Sequence, residues 1–159
     1  MTDHATPKLM GFSHIDVTVS DCDRAASWWQ EVLGFTLVHR HHDQTLDAAA
    51  MIHPSGAVVD AVTHHASASS DVFDERRVGL DHLSFRVADV DELRRWVAHL
   101  DAKGVAHSGI IDSGYGPTVV FRDPDNIQLE LFVHPDVSQL PQLTDADSAE
   151  ARRILGAQT

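Results

Sequence analysis

Two histidines and two carboxylates stand at matching points of two similar stretches of this chain. Gly11-Phe-Ser-His-Ile-Asp-Val-Thr-Val-Ser-Asp21 is echoed by Gly79-Leu-Asp-His-Leu-Ser-Phe-Arg-Val-Ala-Asp89, which pairs His14 with His82. His53-Pro-Ser-Gly-Ala-Val-Val-Asp-Ala-Val62 is echoed by Asp123-Pro-Asp-Asn-Ile-Gln-Leu-Glu-Leu-Phe132, which pairs Asp60 with Glu130. Imidazole nitrogen and carboxylate oxygen together suit a borderline divalent ion such as Fe, Mn, Zn, Co or Ni. Two imidazoles with one carboxylate leave coordination positions open, the composition of the non-haem iron facial triad. A further carboxylate makes an N₂O₂ set better suited to polarising a carbonyl or enediolate.

The elements that must position these groups can be read from alternation. Phe12, His14, Asp16 and Thr18 share one face of a strand and Ser13, Ile15, Val17 and Val19 the other, a polar front and a largely apolar back. Asp21 caps a helix over Asp23 to Leu33, and Gly34 is its left-handed stop. Strands are expected over Phe35 to His41, Ala48 to His53 and Ala57 to His64. The order β-α-β-β-β then repeats: a strand over Leu80 to Val87 and a helix over Val90 to Lys103, opened by the capping box Asp89 and Glu92. Strands over Ala106 to Ile111, Thr118 to Arg122 and Ile127 to His134 complete the second set.

Gly34 and Gly104, Pro54 and Pro124, and Asp60 and Glu130 are each 70 residues apart, and His14 and His82 are 68 apart. Offsets that drift so little point to duplication. The expected architecture is α+β, two tandem βαβββ modules whose eight strands form a metal-binding cup. Module 1 spans residues 9–64, a small-residue-rich linker 65–78, module 2 residues 79–134 and a tail 135–159, together one domain. A short amphipathic helix is expected over Asp145 to Leu155.

The chain has 159 residues, 12 Lys and Arg against 24 Asp and Glu, and a formal net charge of −12. That balance argues against nucleic acid or anionic membranes as partners. No apolar run approaches a membrane span, and the first residues do not resemble a secretion signal, so a cytoplasmic location is expected. Cys22 is the single cysteine, which excludes an internal disulfide and a thiolate metal cluster.

The segments Phe12 to Asp21, Trp29-Gln-Glu-Val-Leu-Gly-Phe35, Leu80 to Val87 and Phe121-Arg-Asp-Pro-Asp-Asn-Ile-Gln-Leu-Glu-Leu-Phe132 resemble the vicinal oxygen chelate superfamily. That group includes glyoxalase I, methylmalonyl-CoA epimerase, extradiol dioxygenases, fosfomycin-modifying transferases and bleomycin-binding proteins. The resemblance covers roughly residues 9 to 134 and implies a fold of paired βαβββ modules. It places His14, His82 and Glu130 where members have two histidines and a glutamate, and Asp60 where glyoxalase I has a further carboxylate ligand. Aspartate is one methylene shorter than the glutamate expected there.

By the same resemblance the leading expectation is a glyoxalase-like lyase or isomerase. It would act on a small oxygen-bearing substrate bound to a divalent metal, with Glu130 as the catalytic proton carrier. Two other readings are an extradiol-type iron dioxygenase and a metal-free drug-sequestering protein. Arg86 shares a face with His82 and could meet an anionic substrate group, Arg122 ends a strand of the same sheet, and Tyr115 lies in a glycine-flanked turn. All three are candidate substrate contacts. His64 alternates in phase with Asp60 and is a candidate general base. The runs His39-Arg-His-His42 and His64-His65 cannot each present all their rings to one ion, because adjacent strand residues face opposite ways. Exposed sheet edges favour a homodimer.

Overall fold

Two stretches of the computed structural model, residues 6–67 and 72–134, together with Arg153, are described. Within them the order β-α-β-β-β occurs twice. The first set is β1 (Ile15–Thr18), α1 (Cys22–Leu33), β2 (Thr36–His42), β3 (Leu46–Ile52) and β4 (Val58–His64). The second is β5 (Leu83–Val87), α2 (Val90–Ala102), β6 (Ile111–Asp112), β7 (Pro117–Arg122) and β8 (Gln128–Val133). They fall in separate compact units, Met1–Asp71 and Val72–Thr159. The sheets are ordered β1-β4-β3-β2 and β5-β8-β7-β6, so each unit pairs its first strand with its fourth in parallel and closes with antiparallel hairpins. This is the α+β fold of two tandem modules that the repeat predicts. The helix expected over 145–155 lies outside the described residues, Arg153 apart.

In the first unit the helix supplies one apolar face. Cys22, Ala25, Ala26, Trp29, Val32 and Leu33 are buried, at the i, i+3, i+4, i+7 spacing of a stripe against a sheet. Val17, Ala49, Met51, Val59 and Ala61 supply the sheet side of that core. Asp21 accepts from the backbone N–H groups of Asp23 and Arg24, and Gly34, at φ 76°, returns its N–H to Trp29 and Gln30. Cys22, in the first turn, is buried, and burial pushes its thiol pKa up. It is a packed residue, not an activated nucleophile.

The second unit repeats the plan with Leu83, Val87, Leu93, Leu100, Val119, Phe121, Leu129 and Leu131 buried. The Asp89 carboxylate accepts from the Glu92 N–H at 2.8 Å, half of the expected capping box. The other half is absent among the described contacts because the Glu92 carboxylate turns to Arg95 instead. The strand expected over Ala106 to Ile111 is also shorter. Gly109 sits at φ 70°, and the Ser108 hydroxyl takes the place of a carbonyl as acceptor for the Val120 N–H at 2.9 Å. Regular pairing therefore survives only at Ile111–Asp112, with an isolated bridge from His107 to Phe121.

The segment read as a linker is not a free tether throughout. Phe73 exchanges hydrogen bonds with Asp125 and Asn126. Glu75 makes two 2.9 Å bonds to the Arg122 guanidinium, which holds the Glu75 carboxyl down to about 2.

Candidate metal centre

His82 lies one residue before β5 and Glu130 in the middle of β8. The parallel register sets Ser84 opposite Glu130, which brings His82 Nε2 to 3.3 Å from Glu130 Oε2. Each side chain is also held from behind. His82 Nδ1 is 2.6 Å from the Asp81 carboxylate, and Glu130 Oε1 accepts from the Thr118 hydroxyl at 2.7 Å. Thr118 is buried on β7, diagonal to Glu130 across the β7–β8 ladder, and its hydroxyl also lies 2.9 Å from the Leu131 carbonyl. It has one proton to share between the two acceptors.

With the Nδ1 proton given to Asp81, Nε2 presents a lone pair to a carboxylate oxygen, and two such atoms face each other only with a proton or cation between them. Donors about 2.0–2.1 Å from a tetrahedral ion lie roughly 3.3 Å apart, so the observed separation suits a shared ion. A carboxylate behind the imidazole is the usual outer partner of a metal-bound histidine.

The first unit holds the matching pieces. His14 also lies one residue before its strand, and its Nδ1 is 3.1 Å from the Ser13 hydroxyl, as His82 Nδ1 meets Asp81. Its Nε2 is 3.7 Å from Asp16, and Asp16 stands opposite Asp60 in the β1–β4 register. Asp60 is half-buried, with Oδ1 fully covered and without a hydrogen-bond partner. Burial pushes its pKa up, the Asp16 charge adds to this, and His14 and His39 oppose it. A covered, orphaned carboxylate oxygen near an imidazole fits a group awaiting a cation or a proton.

Asp60 makes the metal-free fold sensitive to pH. Its raised pKa means that, above the ordinary value of 3.8, the folded chain keeps a proton that the unfolded chain has lost. Stability therefore falls as pH rises through the window between that value and the raised one, and the whole penalty applies above it. Asp60→Asn is expected to flatten this slope and to raise the urea midpoint of metal-free protein at neutral pH. Identical slopes for variant and parent between pH 4 and pH 8 would count against the assignment.

The remaining candidates sit as follows. Arg86 is exposed on β5, in strand phase with Ser84 and His82. Tyr115 is 71% exposed in the turn before β7. Arg122 is already occupied, bonding Glu75, the Asn126 carbonyl and the Gln128 side chain. His64 is exposed at the end of β4. Of the three tryptophans, Trp29 is fully buried while Trp28 and Trp96 are half-buried.

Asp81, Ser13 and Thr118 escaped the reading of the residues. The first two were legible as polar neighbours of the paired histidines. Thr118 follows once the Asp123–Asn126 turn fixes the register of β7 on β8.

Each βαβββ unit thus offers an imidazole one residue before its first strand and a carboxylate on its fourth. The family model of the Glyoxalase/Bleomycin resistance protein/Dioxygenase superfamily matches residues 11–131, and the chain belongs to that superfamily. Its fold is similar to the crystal structure of a glyoxylase/bleomycin resistance protein/dioxygenase domain from Frankia sp. EAN1pec. That likeness is 34% identical, with a TM-score of 0.74, covering 80% of this chain and 100% of the other. A curated relative described as "Putative ring-cleaving dioxygenase MhqA", from Bacillus subtilis, is 29% identical over 123 residues. That match takes in 76% of this chain but only 39% of the relative's length. A mutant of the fosfomycin resistance protein FosX from Listeria monocytogenes, complexed with Mn(II), shares the fold at 17% identity. Its TM-score is 0.65, over 85% of this chain and 100% of that one.

Proposed function

We propose that this chain is a metal-dependent enzyme that binds a small substrate through adjacent oxygens and moves a proton on it, a lyase- or isomerase-type reaction. The observation that supports it most is the His82–Glu130 pair, 3.3 Å apart and braced by Asp81 and Thr118. His82, Glu130 and His14 would hold an Fe, Mn, Zn, Co or Ni ion, with Asp60 as a further carboxylate. Such an ion, when bound, would polarise a substrate carbonyl and make the neighbouring C–H more acidic.

The chain's own residues would do the rest. Glu130 would carry the proton between the substrate carbons, the role that the resemblance to glyoxalase I implies. Glu130 keeps its second oxygen on Thr118, which fixes the direction of the first. Arg86 would meet an anionic substrate group, and Tyr115 would cover the bound substrate from its turn. Arg122 could contact substrate only by releasing Glu75. A cytoplasmic location is part of the same reading, and the exposed Leu9, Met10 and Phe12 support burial in a homodimer.

The likeness to MhqA favours a second reading, oxygen-dependent ring cleavage with iron on the same residues. Protein purified without chelators should carry a divalent ion or take one up. Anaerobic turnover of thiohemiacetals would uphold the proton-transfer reading, whereas oxygen consumption with catechols or hydroquinones would replace it with the second. Failure to retain or take up any of the five metals would remove both and leave a metal-free binding protein.

A further inference from the structure

Two histidine runs that cannot each serve one ion do contribute one ring apiece to a common point. In the first unit β2 pairs with β3 so that His42 stands opposite Asp47. β4 ends at His64, and the next residue, His65, is tied to the β2–β3 hairpin by its N–H on the Thr45 carbonyl at 2.9 Å. His42 Nδ1 contacts one oxygen of Asp47, and His65 Nε2 is 3.0 Å from the other. One donor atom from each of the three residues lies within 4.8 Å of the other two. The imidazole rings are 5.8 Å apart between centroids.

The hairpin that presents these groups is built. Asp43 accepts from the Thr45 N–H and hydroxyl, both at 2.6 Å, and from the Leu46 N–H at 3.0 Å. That Asp43-centred turn fixes His42 on one side and Asp47 on the other. His65 also hydrogen-bonds the Gln44 backbone, the kind of outer contact that orients a metal-bound imidazole. His42 and Asp47 line a cleft of about 460 Å³ whose other walls include Asp21, Asp23 and Arg40. An ion held by the three residues would therefore keep an open position toward that cleft.

We propose that His42, Asp47 and His65 form a second divalent-metal site, for a zinc-class ion (Zn²⁺, Co²⁺ or Ni²⁺), separate from the residues of the proposed catalytic centre. Two imidazoles with one carboxylate select borderline transition ions over Mg²⁺ and Ca²⁺, which prefer all-oxygen sets. The three donors come from the end of β2, the start of β3 and the residue after β4. Binding would clamp the hairpin to the end of β4 and stabilise the first unit by mass action.

The test is a Co²⁺ titration of the full chain carrying His82→Ala, read by calorimetry and by visible absorption. One site should remain, and adding His42→Ala with His65→Ala should weaken it by at least tenfold. A residual site unaffected by the two changes would overturn the proposal. In the unsubstituted chain, Co²⁺ should broaden the NMR signals of His42, Asp47 and His65 as well as those of His82. This keeps the proposal testable should the variants not fold. Broadening confined to His82 and its neighbours would refute the second site while leaving the proposed function standing. Broadening confined to His42, Asp47 and His65 would do the reverse.

Discussion

Glu130→Ala is expected to reduce kcat/KM on the order of a thousandfold or more and to lower metal content in parallel. Loss of an outer-shell partner of a metal ligand typically costs roughly 10–100-fold. Removal of the ligand itself should exceed that, because no other carboxylate among the described residues lies on His82 Nε2. The fold should survive the change. Glu130 faces away from the core that Leu129 and Leu131 fill, and β8 keeps its ladder to β5 and β7. Thr118 would retain the Leu131 carbonyl at 2.9 Å as its acceptor.

Thr118→Val makes the informative comparison. It leaves the carboxylate in place but removes the hydroxyl that fixes its orientation, so metal affinity should fall by roughly 10–100-fold. Turnover at saturating metal should fall less. Metal analysis after dialysis, with urea midpoints as a control for folding, checks both. If Glu130→Ala kept its full metal content, the glutamate would be a structural partner of Thr118 and His82 and not a ligand.

What could be read from the residues was the part of the structure that rests on periodicity. Val17 and Val19 are buried and Asp16 and Thr18 exposed because a strand alternates whatever its partners are. The equivalence of His14 and His82 follows from the same logic, since each precedes its strand by one residue and has its Nδ1 held by the residue before it. Register was harder. Nothing in the alternation of 106–111 shows that Ser108 will accept in place of a carbonyl and delay regular pairing until Ile111, past Gly109.

Convergence between separate strands was harder still. Each histidine run, taken alone, contradicts a metal site, because neighbouring rings diverge. Only the pairing of β2 with β3 and the tie from His65 to Thr45 bring one ring of each to Asp47. The role of Glu75 was hidden for a similar reason. Composition marks 65–78 as a linker, but its attachment depends on a guanidinium 47 positions later in the chain.

Trp29→Ala is expected to be the most destabilising single substitution in the first unit, by about 3–5 kcal/mol. Ala25 and Ala26 are fully buried, and their small side chains let α1 approach the sheet closely. Trp29, one turn on, then fills the space that remains. Its ring is fully covered and meets Phe35 edge-on at 5.2 Å and Trp28 at 6.3 Å. Such aromatic pairs contribute beyond area alone. Truncation removes these ring contacts and leaves a cavity that the surrounding side chains fill only in part. With a urea dependence of about 1–3 kcal/mol per molar, the midpoint of the first unit should drop by roughly 2 M. Trp29→Phe, which keeps an aromatic ring against Phe35, should recover more than half of that loss. A drop well under 1 kcal/mol for the alanine variant, against a native-like circular dichroism spectrum, would show that α1 is held by its caps and backbone instead of by this side chain.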